Sequence, residues 1–290
     1  MLLTTFFEIY PVALIITMAI LGLIVGSFLN VVIYRLPVML ERDWRAQCRT
    51  LLEIKEPEEN VTEAPFNLIT PRSRCPHCGK TISAIYNIPV ISYLYLKGKC
   101  KNCNQSISGR YPAVELLTAV MTALVAWKFG FQPQAFFSAL LIWSLICLTF
   151  IDFDQQILPD DITLPFLWLG IICNIFNLYT DIYSSLFGAI FGYGVLWLIF
   201  MSYKILTGKE GMGFGDFKLL AMLGAWLGWQ MLPLIILLSS VLGALVGIFL
   251  ITFAKHGKNI PIPFGPYLAT AGCIALFWGR DIMHFYLNFL

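Results

Sequence analysis

Charge is scarce in this chain. Asp, Glu, Lys and Arg make up 12% of its 290 residues, while apolar types reach 58% and mean hydropathy is +0.77. A soluble domain carries about 25% charge. A chain of this length can bury a large core, but not that much apolar surface in water. That excludes a soluble globular enzyme and intrinsic disorder, and leaves a multi-pass membrane protein. Internal repeats and low-complexity tracts are missing from the pattern as well. No Gly-rich strand-to-helix fingerprint is present: Gly211-x-Gly213-x-Gly215 follows no strand pattern and is set aside as a nucleotide loop. No basic arm for nucleic acid stands out. Of the 19 Lys and Arg, 12 lie in residues 35–112, interleaved with Glu41, Asp43, Glu53, Glu56, Glu58, Glu59 and Glu63. No small-residue cleavage site follows the first apolar run, residues 11–34. That run is too long for a signal h-region and is expected to remain as a transmembrane helix.

A helix crossing about 30 Å of hydrocarbon needs about 20 apolar residues. Runs between charges and Pro/Gly clusters predict eight spans: 12–34, 113–129, 134–151, 163–179, 184–203, 217–232, 234–253 and 265–280. The weakest boundary is Met231–Leu232–Pro233. The expected fold is thus an all-α polytopic membrane protein of about eight transmembrane helices. Its expected parts are a first helix (1–34), a polar loop (35–112) and a seven-helix membrane domain (113–290). With eight crossings, loops 35–112, 152–162, 204–216 and 254–264 share one side. Counting Lys218, that side holds 17 of the 19 Lys and Arg, leaving Lys128 and Arg280 opposite. Positive charge is retained in the cytoplasm, so the loop side is expected to be cytoplasmic and the N-terminus outside.

Of eight cysteines, Cys147, Cys173 and Cys273 fall in apolar spans and read as small buried hydrophobes. Cys48 stands alone. The other four form Cys75-Pro-His-Cys78 and Cys100-Lys-Asn-Cys103. Two such knuckles can close a tetrahedral S₄ site suited to one structural Zn²⁺. Gly79 fits the tight turn a knuckle needs, and His77 reads as a bystander. Two disulfides or a rubredoxin-type iron are the alternatives, and the cytoplasmic placement disfavours disulfides. A closed site of this kind folds a small module with too little core of its own.

Ionisable groups at membrane spans need an account. Asp152 ends the run from Leu140, and Asp216 ends Gly211-Met-Gly-Phe-Gly-Asp216. Both fall at the cytoplasmic ends of their helices. Two carboxylates brought together in a partly dry site share one proton; such a pair can activate water and protonate a leaving amine. Gly213 and Gly215 leave room for close backbone approach. The bland readings are helix-end acids: Asp160 and Asp161 as caps after Pro159, and Asp154 as a solvated loop charge.

The motifs in their order resemble the bacterial type IV prepilin peptidase and N-methyltransferase family over essentially the whole chain. They are Gly26-Ser-Phe-Leu-Asn30 through Arg35-Leu-Pro37, the cysteine loop with Asn87 to Tyr93 and Arg110 to Glu115, Ile151-Asp152 through Leu158-Pro159-Asp160, Gly211 to Lys218, and Pro263-Phe-Gly-Pro266-Tyr. The resemblance implies a GxGD-type aspartic protease whose catalytic pair maps onto Asp152 and Asp216, choosing Asp152 over Asp154. It implies removal of a basic leader from prepilins and pseudopilins at the bacterial inner membrane. It further implies N-methylation of the new terminus with S-adenosylmethionine. Gly98, beside Lys99, matches a glycine associated with methyl transfer, and equally reads as a turn into the second knuckle. Glu115 reads as functional or as a partner for a base such as Arg110. The alternative class is a zinc-responsive membrane transporter or sensor without protease activity; a pilus scaffold without chemistry is a third.

Overall fold

The computed structural model describes residues 2–53, 66–209, 211–253 and 262–288. Glu56, Glu58, Glu59 and Glu63, and loop residues 254–261 with Lys255 and Lys258, lie outside the described residues. Regular structure among the described residues is helical, with two isolated bridges and no strand. The chain divides into two units, Met1–Trp127 and Lys128–Leu290.

The first unit contains α1 (Leu2–Ile9), α2 (Pro11–Leu51), the short α3 (Ile91–Tyr95) and α4 (Arg110–Phe129), whose last turn reaches the second unit. Pro11 starts α2 at the first helical position, where its missing N–H costs nothing. The 41 residues of α2 make a rod of roughly 60 Å, about twice the hydrocarbon thickness. It covers the predicted span 12–34 and continues through Pro37, so residues 35–51 of the expected loop are helical. The extension carries four Arg, a good helix former, and its one Glu, Glu41, pairs with Arg45 one turn on at 2.5 Å. Against α4, α2 presents Gly22 and Gly26, four residues apart. A β-carbon on Gly22 would sit 2.7 Å from Ala119 Cα, and one on Gly26 2.8 Å from Glu115 Cα. This small-xxx-small stripe lets the two backbones touch.

The second unit contains α5 (Pro133–Gln155), α6 (Asp160–Ile175), α7 (Ile182–Thr207), α8 (Phe214–Leu227), α9 (Leu232–Phe253) and α10 (Gly265–Leu287). Its core is built on α8: Asp216, Phe217 and every residue from Leu219 to Trp226 are buried. Gly188 of α7 and Gly224 of α8 lie so close that a β-carbon on either would meet the other's carbonyl oxygen at 2.1–2.2 Å. Asn174 donates to the carbonyls of Ala225 and Trp226 at 2.8 and 3.0 Å, and its oxygen accepts from Tyr179 and Thr180. The orphan carbonyls at the end of α8 are thereby satisfied inside the core.

Every predicted span overlaps a helix, although 163–179 runs past the end of α6 and 217–232 past the end of α8, and the count of eight transmembrane helices does not hold as stated. Among the described residues five helical segments are long and apolar enough to cross a membrane, α2, α4, α5, α7 and Trp229–Leu250; α10, which carries the predicted span 265–280, is not one of them. With 16 and 14 residues, α6 and α8 are shorter than an ordinary crossing of about 20 residues. The all-round apolarity of α8 reflects burial against protein, which a sequence window cannot tell from burial in lipid. At the weakest boundary, α8 stops at Leu227, Gly228 takes φ +87°, and a 3₁₀ turn over Trp229–Met231 leads into α9.

Candidate functional site

Asp152 and Asp216 are brought into one place in the second unit. Asp152 lies on the last turn of α5 and is 5% exposed; Asp216 lies on the first turn of α8 and is 8% exposed. Asp216 is within electrostatic reach of Asp152. The chain between them closes the site: Leu158 packs on both Gly215, which precedes Asp216, and Gly265, the first residue of α10. The Gly265 N–H donates to Asp152 Oδ2 at 3.0 Å. Asp216 is the third residue of α8, and its carboxyl accepts from the backbone of Gly213, the N-cap, in the manner of a capping box. Each carboxylate therefore has a backbone donor that fixes its direction. Asp154, two residues past Asp152, is exposed.

Asp160 and Asp161 do not cap α6. Pro159 is the N-cap and makes no side-chain bond, while the two acids sit in the first turn, where the helix dipole favours them. Asp160 instead takes Lys218 of α8, with both carboxylate oxygens 2.7 Å from Nζ. That pair ties the start of α6 to the start of α8, two residues from Asp216.

In the first unit the four Sγ atoms of Cys75, Cys78, Cys100 and Cys103 lie within 4.8 Å of one another, and none is in a disulfide. Cys75 and Cys103 are 3.8 Å apart, about the edge of a tetrahedron with 2.3 Å metal–sulfur bonds. Hydrogen bonds from the backbone of Cys103 and Asn102 pull the Cys100 thiol down to about 6. Cys103, although its backbone contact with Gln105 lowers it, is pushed up to about 11 by loss of water and by the other three thiols. Four sulfurs this close cannot all ionise alone, and a divalent cation at their centre relieves that repulsion. The donor set fits a metal ion.

The two knuckles are also a repeat that the sequence reading missed. Ser-Arg-Cys-Pro-His-Cys-Gly-Lys-Thr-Ile (73–82) and Gly-Lys-Cys-Lys-Asn-Cys-Asn-Gln-Ser-Ile (98–107) superpose bond for bond. The Cys75 N–H donates to Lys80, that of Gly79 to Cys75 and that of Ile82 to Ser73; Cys100, Asn104 and Ile107 do the same to Gln105, Cys100 and Gly98. The bridges Arg74–Thr81 and Lys99–Ser106 match too. Gly79 (φ +68°) and Asn104 (φ +56°) hold the equivalent left-handed turn. The visible signal was the 25-residue offset shared by the cysteines and the flanking isoleucines.

The remaining motif residues also acquire positions. Asn30 donates to the Tyr111 carbonyl at 3.1 Å, and Arg35 donates to the carbonyls of Asn67 and Pro71 at 2.8 and 2.5 Å, anchoring the entry to the first knuckle. Gly98 (φ +68°) is buried with the Tyr93 ring against it, where a β-carbon would sit 3.0 Å from the ring; Lys99 is exposed on its bridge. Glu115 bonds the Val90 N–H at 2.8 Å and the Ser27 hydroxyl.

A helical, membrane-compatible chain with a buried aspartate pair in one unit and a four-cysteine module in the other defines a class: a polytopic membrane protein with a paired-carboxylate site. Residues 20–129 match the bacterial peptidase A24 N-terminal domain, and residues 139–248 match the type IV leader peptidase family. The prepilin leader peptidase/N-methyltransferase of Stutzerimonas stutzeri is 54% identical, over 96% of this chain and 96% of its own. Proteins of the same name from Pseudomonas aeruginosa (53%, over 97% and 96%) and Aeromonas hydrophila (53%, over 93% and 92%) are similar to the same extent. No solved structure matches the chain. The chain belongs to the type IV leader peptidase family, and the transporter or sensor alternative is not supported.

Proposed function

We propose that the chain is a bifunctional membrane enzyme that removes the basic leader of type IV prepilins and pseudopilins and then N-methylates the new terminus with S-adenosylmethionine. The observation that carries the peptidase half is the buried pair Asp152 and Asp216, each aimed by a backbone donor. In the cleavage step one ionised carboxylate takes a proton from water, and the oxygen attacks the scissile carbonyl. The other, protonated, carboxyl hydrogen-bonds the carbonyl oxygen; a proton then passes to the amine nitrogen as the C–N bond breaks. Gly265 and Gly213 keep both groups oriented through these steps, and the surrounding apolar core keeps bulk water out.

The four cysteines hold one Zn²⁺ as a structural ion, which when bound fixes the two knuckles to each other. The functional division is an N-terminal helical part (1–34), a metal-loop part (35–112) whose first residues continue α2, and a membrane part (113–290) with both aspartates. The site and the metal loop face the cytoplasm of a bacterial inner membrane and the N-terminus faces the periplasm; α6 and α8 are then short crossings packed against protein, and with all eight segments crossing the basic residues split 17 to 2 in favour of this placement. A basic leader then stays on the cytoplasmic side while the pilin's apolar helix rests in the bilayer. Gly98 and Lys99 serve the methyl-transfer half, Gly98 by seating Tyr93.

The test is a mass assay on purified protein in detergent with a full-length prepilin. Asp152→Asn and Asp216→Asn are each expected to lower leader removal by at least about 10³-fold. Leader removal at near wild-type rate in either variant sinks the assignment. With S-adenosylmethionine present the product gains one methyl group; a product that never gains it removes the methyltransferase half alone.

A further inference from the structure

The first unit holds an open cleft of about 700 Å³, within the range of small-molecule sites. Its walls come from α2, both knuckles, the segment around α3 and the start of α4. Three features meet in it. Glu115, 8% exposed, is a carboxylate on its wall and is held by the Val90 N–H and the Ser27 hydroxyl. Val90 itself takes φ +60° and ψ −47°, a conformation that a β-branched residue rarely adopts, closed by Ile91 N–H donating to Pro89 at 2.5 Å. Strain of this kind persists where the surroundings over-determine it, and it gathers at ligand sites. Tyr86, Tyr93 and Tyr111 add three aromatic side chains to the lining.

We propose that this cavity receives the methyl donor, with Glu115 as the counter-charge to its sulfonium and the tyrosines as the wall for its nucleoside. The proposal rests on the methyltransferase half of the function above. A sulfonium nucleoside carries a permanent positive charge beside a flat π-system. A fixed carboxylate with aromatic side chains is the chemistry that recognises such a cation. The cavity also explains why a metal module accompanies the site: Cys75, Cys100, Ile82 and Ile107 line it, so its wall is formed by the two knuckles. Val90 connects the parts, since its strained turn presents the N–H that orients Glu115.

The donor and its spent product differ in charge, and that difference gives the test. S-adenosylmethionine is a sulfonium, whereas S-adenosylhomocysteine is a neutral thioether of nearly the same shape. Binding of both to the full-length protein in detergent is measured by calorimetry for the wild type, Glu115→Gln and Tyr93→Ala. Glu115→Gln retains an acceptor for the Val90 N–H, and its zinc content reports whether the module is intact. We expect Glu115→Gln to weaken S-adenosylmethionine at least tenfold and S-adenosylhomocysteine less than threefold, and Tyr93→Ala to weaken both. Equal losses for the two ligands in Glu115→Gln, or no loss, overturn the counter-charge role. Photo-crosslinking of radiolabelled S-adenosylmethionine is expected to mark peptides between residues 82 and 115. Labelling confined to residues 128–290 overturns the location while leaving the methyltransferase reading intact. A wild-type protein that binds neither ligand overturns both.

Discussion

The two units orient their polar groups by opposite means. In the second unit, helix packing comes first: α8 is buried along nearly its whole length, and its glycine contacts with α7 set the helix before any polar group is considered. Asp152 and Asp216 are then carried to the site by rigid elements and trimmed by single backbone donors. In the knuckle segment of the first unit, few side chains are buried, Cys75, Ser92 and Cys100 among them. There, four sulfurs, a repeated set of turn hydrogen bonds and Arg35 on two carbonyls replace a hydrophobic core. The lesson is that the aspartate site should tolerate loss of a polar contact better than loss of packing, and the knuckle segment the reverse.

Cys75→Ser attacks the comparison hardest. A structural Zn²⁺ supplies about 10–16 kcal/mol of apparent folding free energy in small modules. Loss of one thiolate is expected to remove the metal and unfold the segment around residues 66–109. Metal content by mass spectrometry should fall below a tenth of wild type and methyl transfer should vanish, with leader cleavage reduced far less. Cleavage lost in step with the metal would show that the two units are not independent in this sense.

Gly265→Ala probes the other unit. A β-carbon there would lie 2.6 Å from Asp152 Oδ2, so the carboxyl must move. Misplacement of a reacting group by about 1 Å costs on the order of 10² in rate. Leader cleavage should drop by about that factor, with zinc content and methyl-donor binding unchanged. Wild-type cleavage in this variant would mean the Gly265 contact has no part in aiming Asp152.

Lys218→Met should have the smallest effect. Its ion pair with Asp160 is partly exposed, and such pairs contribute at most about 1 kcal/mol. A thermal melt is expected to shift by a few degrees at most, and cleavage by less than fivefold. A larger loss in cleavage than in stability would promote Lys218 from a tie between two helices to a group that positions Asp216.

Much of this arrangement was legible beforehand. The knuckles were visible because metal ligation demands two short spacings, which no helix or strand period imitates. The aspartates were visible because charge beside a membrane span is costly and therefore conspicuous. Less legible was the choice between Asp152 and Asp154, which came from the family resemblance; the structure buries the first and exposes the second. Gly265 was legible only as part of a motif, because a backbone N–H has no sequence signature. The full length of α2 was missed because Pro37 and Arg35 look like a stop, whereas both are accommodated at buried positions. Sequence leaves Glu115 open as a functional group or as a partner for a nearby base such as Arg110, because the contacts it makes, with the Val90 N–H 25 residues away and with Ser27, have no local signature.

By itself, the sequence determined the helical class and marked out the two carboxylates and the four cysteines that the fold gathers. Those depend on composition and short spacing, which are local. Only tertiary structure decided that α8 is a core element, that Leu158 and Gly265 close one site around both carboxylates, and that Glu115 lies on the wall of a cavity. Those outcomes depend on which backbones can approach within a few ångströms. That approach depends on glycine contacts between helices distant in the chain, so no local window contains it.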